Sequence, residues 1–299
     1  MPNPLPARPA LPVRTLPSGH PAPNDALIGR LAIRSLYREV ELHPKPGLVT
    51  PEGNGSHRDM DFRTFLRSLN ALRPYFPAIT AGGRSAPGFA PLQTLGIAAE
   101  SAMLAATGGV NTHRGAIFNL GLLCAATGAL LGAGQPVGAE SACSAVEALW
   151  GREILTSADV LPDSATPSHG LAVARRYGSG GARQEAAAGF PAAREIGLPA
   201  YRATLAATGD GELAAVQALF ALMAELDDTN LLWRGGPAGL AHAHRAATGF
   251  LAAGGIFAAD WRAHAAAIDR EFVDRRLSPG GTADLLGVTL FLAELDGLA

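Results

Sequence analysis

The sequence predicts an all-α protein of about a dozen helices packed as one multi-layer domain over residues 24–299, and three observations predict it. Alanine- and leucine-rich segments follow one another with glycine and proline between them, valine and isoleucine are sparse, and no segment reads convincingly as a strand. No repeat with a period of about 34 or about 40 residues recurs, so a solenoid is not expected. The chain has 299 residues, 48% of them hydrophobic, which is enough for a sizeable core. A formal net charge of -2 supplies no broad basic field and argues against nucleic-acid or anionic-membrane partners.

Taken in order, residues 1–23 carry eight of the 22 prolines, lack the apolar stretch of a secretory signal, and read as a flexible polyproline-like tail. Asn24 or Asp25 caps a first helix, with Leu27, Ile28, Leu31, Leu36 and Val40 near the helical period. Phe62, Phe65, Leu66, Leu69, Leu72 and Phe76 mark a second. Further helices are expected near 91–107, 115–131, 137–156, 168–177, 184–196, 200–208, 211–226, 239–253, 258–275 and 282–297. The uncharged run 115–139 exceeds the roughly 20 residues a bilayer needs. It contains Asn119, Gln135 and six glycines, and reads as a buried core helix. Cys124 and Cys143, the only cysteines, sit in apolar surroundings and read as small buried hydrophobes, which suits a reducing cytoplasm.

In such a protein the informative places are the polar, glycine-rich interruptions, because they cost helix and bury nothing. There are five: "HPKPGLVTPEGNGSHRDMD" (43–61), "GGVNTHRGAIFNLG" (108–121), "GSGGARQEAAAGF" (178–190), "DDTNLLWRGG" (227–236) and "SPGGTADLL" (278–286). In the first, Lys45 is the only lysine in the chain and lies between Pro44 and Pro46, which stiffen the backbone. A compact ammonium there suits a point contact to phosphate, against the plainer reading of a stray surface lysine. Asp59 and Asp61 are spaced i,i+2 and do not share a helix face, so one can cap the next helix while the other faces a cleft beside His57. Asp227 and Asp228 are read as closing a helix, where the dipole repels anions, so a hard cation such as Mg²⁺ is expected to hold them. A solvated loop is the competing account. "SPGG", with Ser278, Gly280 and Gly281, resembles an anion-receiving helix N-terminus. Asn111, His113 and Arg114 open another helix, with His113 alternatively a satisfied core histidine. Arg183 and Glu185 near a glycine turn compete with an ordinary surface ion pair. No P-loop, dinucleotide-binding loop, zinc spacing, HExxH or nucleophile elbow is present. What remains is a cleft of carboxylates, cations and glycine loops suited to a phosphorylated substrate and acid–base chemistry.

In this order and spacing, "PKPGLV", "GNGSH-DMD", "GVNTHRGAIF", "GAR-EA--GFP", "DDTN---RGG" and "SPGG-ADLL" resemble the triphosphoribosyl-dephospho-CoA synthase family over about residues 36–290, with Gln184 where the family usually has glycine. The wording "NGSHRDMDFRTFLRSL" leans toward the malonate decarboxylase branch rather than the citrate lyase branch. The resemblance implies transfer of the triphosphoribosyl unit of ATP to the ribose 2′-hydroxyl of 3′-dephospho-CoA with release of adenine. The product would feed modification of an acyl-carrier protein. It implies Glu185, Asp59, Asp61 and His57 as catalytic candidates, with Glu185 the favoured base. Lys45, Asn111, His113, Arg114, Arg183, Asn230, Arg234, Ser278, Gly280 and Gly281 would bind substrate, and Asp227 and Asp228 would bind Mg²⁺. A ribosyl-bond hydrolase and a non-catalytic ATP-binding assembly module are the alternatives. A homo-oligomer is compatible with all three.

Overall fold

A computed structural model describes residues 23–157, 172–173 and 176–298. Among them twelve α-helices can be bounded: α1 Asp25–Glu41, α2 Phe62–Leu72, α3 Tyr75–Gly83, α4 Phe89–Thr107, α5 Arg114–Gly132, α6 Ala139–Thr156, α7 Gly181–Ala187, α8 Leu198–Thr208, α9 Gly211–Glu225, α10 Thr229–Ala252, α11 Trp261–Asp274 and α12 Gly280–Asp296. The described residues contain no strand, only an isolated bridge between Thr50 and Gly53. The all-α expectation holds. The expected tail lies outside the described residues apart from Pro23, and the expected helix at 168–177 lies largely outside them.

The uncharged run is the centre of the fold: α5 buries Leu120 through Leu130 without a break, Cys124 included. It meets α3, α6 and α12, while α1 packs on α3 and α12. Glycine permits the α3–α5 contact. A Cβ on Gly83 would stand 2.0 Å from the Ala125 carbonyl oxygen, and one on Gly128 would stand 1.9 Å from that of Thr80. The second buried helix, α12, carries Leu285, Leu286, Val288, Leu290, Phe291 and Leu292 in its core. Cys124 and Cys143 are buried free thiols, and burial pushes both well above the ordinary range, Cys143 to about 12.

Three local expectations need correction. The single periodic stretch from Phe62 to Phe76 is two helices, because Pro74 stands between them and opens α3. The helix expected at 184–196 is broken: α7 ends at Ala187, Gly189 and Phe190 both take positive φ (71° and 59°), and a π-helical turn follows at Ala193–Gly197. The helix expected at 239–253 begins ten residues earlier, at Thr229, and is kinked at Gly236 (φ 59°, ψ -164°) just before Pro237, whose ring cannot continue a regular helix.

Candidate functional site

The loop 42–61 is pinned across the junction of α11 and α12. Gly47 has φ 69°, its amide donates to Asp269 Oδ1 (2.8 Å), and a Cβ there would lie 2.2 Å from the Leu277 carbonyl oxygen. Ser56 Oγ donates to the Leu277 carbonyl (2.6 Å). This sets His57 with Nε2 2.9 Å from Ser278 Oγ and Nδ1 3.3 Å from Arg234 Nη2. A guanidinium only donates, so Nδ1 must accept and Nε2 carries the proton toward Ser278. Burial, then the Arg234 charge, pull the His57 pKa down and keep the ring neutral. Asp59 stands 3.6 Å from Nδ1 with its side chain largely exposed. Asp61 instead caps α2, accepting from the Thr64 amide and hydroxyl, which hold its carboxyl below the usual range. One carboxylate caps and the other stands beside His57, the division the sequence allowed. Capping by Asp61 leaves Asp59 as the freer of the two.

Lys45 departs from the expectation of a free phosphate contact. It is 3% exposed, and its ammonium donates to the Glu39 carbonyl (2.5 Å) and Oε1 (2.7 Å) on α1. Burial lowers its pKa, opposed by Glu39. A lysine is needed here because a slot closed on all sides admits one compact cation. Lys45 in turn lies close enough to His113 to depress it further, although burial is the larger cause, and the His113 pKa falls to about 3. His113 Nδ1 is bonded to Ser68 Oγ (2.7 Å), while Nε2 is buried without a partner.

Asp228 corrects a second expectation. It does not close a helix, since α9 ends at Glu225 and Asp228 is the N-cap of α10. Its Oδ1 accepts from the Asn230 and Leu231 amides, and its Oδ2 from the amide and hydroxyl of Thr282 in the first turn of α12 (2.7 and 2.9 Å). The carboxylate therefore fills two helix N-termini, and the anion at "SPGG" comes from the protein itself. The bare Cα atoms of Gly280 and Gly281 make room for Asn230 and Asp228 respectively. With four donors on its two oxygens, buried Asp228 does not fit a magnesium ion shared with exposed Asp227. Among the described residues no three His, Cys, Asp or Glu side chains converge as metal ligands.

Several other expected residues are held structurally. Asn111 accepts from the Arg114 amide (3.1 Å), Arg114 pairs with Glu100, and Arg183 donates to Ser157 Oγ (2.8 Å) and the Ile154 carbonyl at the end of α6. Glu185 accepts from the Ala192 amide (2.7 Å) and, more weakly, from that of Ala193 (3.4 Å). Burial raises its pKa against those two bonds, the direction that strengthens it as a proton acceptor. With Asp227, Glu195 and Glu225 it lines a cleft of about 270 Å³.

The five polar segments are thus wired together in pairs: 43–61 to 278–286 through His57 and Ser278, 227–236 to 278–286 through Asp228 and Thr282, 108–121 to 278–286 through Gly115 and Asp284, and 178–190 to 227–236 through Ser179 and the Asp227 carbonyl (3.4 Å). A family model described as CitG, ATP:dephospho-CoA triphosphoribosyl transferase, matches residues 25–299. The chain belongs to this family. It is 42% identical over 266 residues to a probable 2-(5''-triphosphoribosyl)-3'-dephosphocoenzyme-A synthase of Acinetobacter calcoaceticus, covering 89% of this chain and 90% of the relative. A Klebsiella pneumoniae 2-(5''-triphosphoribosyl)-3'-dephosphocoenzyme-A synthase is 42% identical over 266 residues, covering 87% and 88%. A probable synthase of the same description from Vibrio cholerae is 40% identical over 279 residues, covering 90% and 88%. No solved structure matches the chain. Two acids that the structure sets beside Lys45 and Gly115, Glu39 and Asp284, were given no role in the sequence reading. Glu39 looked like part of an ordinary helix end, whereas Asp284 had a signal: it is a lone acid in the apolar run "ADLLGVTLFL".

Proposed function

We propose that this transferase moves the triphosphoribosyl unit of ATP onto the ribose 2′-hydroxyl of 3′-dephospho-CoA and releases adenine. Beyond the family membership, the observation that supports it is that five polar segments spread over more than two hundred residues of chain are linked pair by pair within an alanine-rich helical fold. The C1′–N9 bond of ATP breaks, the electron pair leaves on adenine, and O2′ of the acceptor bonds to C1′ through an oxocarbenium-like transition state. Arg234, anchored by the Ser56 and Arg276 carbonyls (both 3.3 Å) yet exposed, is placed to meet phosphate. Glu185 is the carboxylate proposed to take the 2′-hydroxyl proton, with Asp59 as its competitor beside His57. Mg²⁺ in this reading is the counter-ion that ATP carries in, and the Asp227–Asp228 pair is not its holder. The product is proposed to serve the acyl-carrier protein of a malonate decarboxylase, in a cytoplasm where two free thiols need no pairing.

The test is adenine release from ATP, followed by chromatography with and without 3′-dephospho-CoA. Release that requires the acceptor, with a triphosphoribosylated product of matching amount, is the expected result. Release without acceptor would make the protein a ribosyl-bond hydrolase, and tight ATP binding without turnover would make it an assembly module.

A further inference from the structure

Purine departs from a ribosyl carbon as a poor leaving group unless a nitrogen of the base is protonated, and none of the residues assigned so far supplies that proton. The region around Gly115 has the features such a donor site requires. Three consecutive residues before it, Thr112, His113 and Arg114, each carry a buried polar atom without a hydrogen-bond partner: Oγ1, Nε2 and Nε. Buried groups of this kind are nearly always satisfied, so three in succession point to a polar ligand. Gly115 itself has no side chain because Asp284 lies against it, and a Cβ would be 1.9 Å from Asp284 Oδ2. Around this carboxyl lie Glu39, bonded to Lys45, and the doubly capping Asp228, while the Ala116 amide donates to it. Glu39, Lys45 and Asp228 are each closed off from solvent, whereas Asp284 keeps part of its surface accessible.

We propose that Asp284 is the acid that protonates the departing adenine, and that the unpartnered groups of Thr112, His113 and Arg114 face the polar edge of that base. The proposal rests on the transfer reaction put forward above. As C1′–N9 breaks, the Asp284 hydroxyl proton passes to a ring nitrogen of adenine and leaves a carboxylate. The acceptor's 2′-hydroxyl proton goes to the separate base, and solvent restores Asp284 once products leave. Burial, and after it the negative charges of Glu39 and Asp228, drive the Asp284 carboxyl well above the usual carboxylate range, so the acid form is held ready.

The experiment compares ATP with ATP methylated at N7, whose base is already cationic and departs without an acid. In the wild-type protein, kcat with ATP should fall as pH rises through the raised Asp284 pKa, and kcat with the methylated analogue should not. Asp284→Asn replaces a neutral acid by a neutral amide of the same shape. It should lower kcat with ATP by about 10²–10⁴-fold and leave the analogue within about tenfold of wild type. Parallel losses with both substrates, or parallel pH profiles in the wild-type protein, would overturn the role of Asp284. Acceptor-dependent release of adenine by the wild-type protein is scored separately, so failure of the transfer reaction would not be mistaken for failure of this assignment.

Discussion

At the scale of single residues, the chain's one lysine shows how a residue type can be diagnostic while its role is misread. The prolines around Lys45 suggested a stiffened ammonium held for a point contact to phosphate, but the loop they stiffen folds back and buries the ammonium against Glu39. A buried pair has a characteristic mutational signature: removing one partner strands the other charge, while removing both can be nearly neutral. Lys45→Met alone is therefore expected to lower the unfolding free energy by about 3–5 kcal/mol, and Lys45→Met combined with Glu39→Gln to recover most of that loss. Urea unfolding of the three variants measures it. Strictly additive losses would show that the pair does not act as a unit.

Among the elements, glycine decides how closely helices approach and the carboxylate of Asp228 decides where two of them start. The α3–α5 contact leaves no room for a methyl group at Gly128. Gly128→Ala should destabilise the fold by about 1–3 kcal/mol through overpacking. Gly249 in α10 faces open space, and Gly249→Ala should instead stabilise by up to about 1 kcal/mol from helix propensity. Thermal unfolding of both variants tests the contrast, since propensity alone would move them in the same direction. Asp228 carries a different kind of load, tying the first turns of α10 and α12 together. Its replacement by alanine should cost about 2 kcal/mol or more, because it strips a cap from two helices and leaves buried amides unpaired. Denaturant unfolding of Asp228→Ala checks this, and a loss below about 0.5 kcal/mol would mean that water replaces the carboxylate.

For the whole molecule, buried histidine makes stability depend on pH. His113 is held to about 3 in the folded protein against 6.5 as the ordinary value. The unfolded chain therefore binds the extra proton first. The stabilisation is complete above about pH 6.5 and is lost progressively as pH falls toward 3, the loss reaching about 2 kcal/mol at pH 5. His57, also depressed by burial, works in the same direction. Asp284, raised by burial, opposes them over the same range because there the folded form binds the proton first, so the test is the difference between two proteins: wild type should lose more stability than His113→Gln between pH 8 and 4. An unchanged slope in that variant would place the acid sensitivity elsewhere.

The helical class, most helix positions, the burial of the uncharged central run and the five polar segments were all legible in the chain, because periodicity, capping residues and glycine–proline punctuation act locally. That Asp59 and Asp61 could divide their roles was expected, but which of them caps was not: α2 begins at Phe62, neither carboxylate lies in a helical turn, and the bonds from Thr64 to Asp61 decide it. Partnership was not legible. Lys45 meets Glu39 only because a loop folds back on α1, and Asp228 reaches Thr282 only because α10 and α12 begin side by side. Asp284 acquires its raised proton affinity only where α1, α5, α10 and α12 meet. The sequence by itself determined which residues could do chemistry. Which of them are already satisfied by the protein, and which are left without a partner, depended on contacts between segments far apart in the chain, and only the tertiary structure decided that.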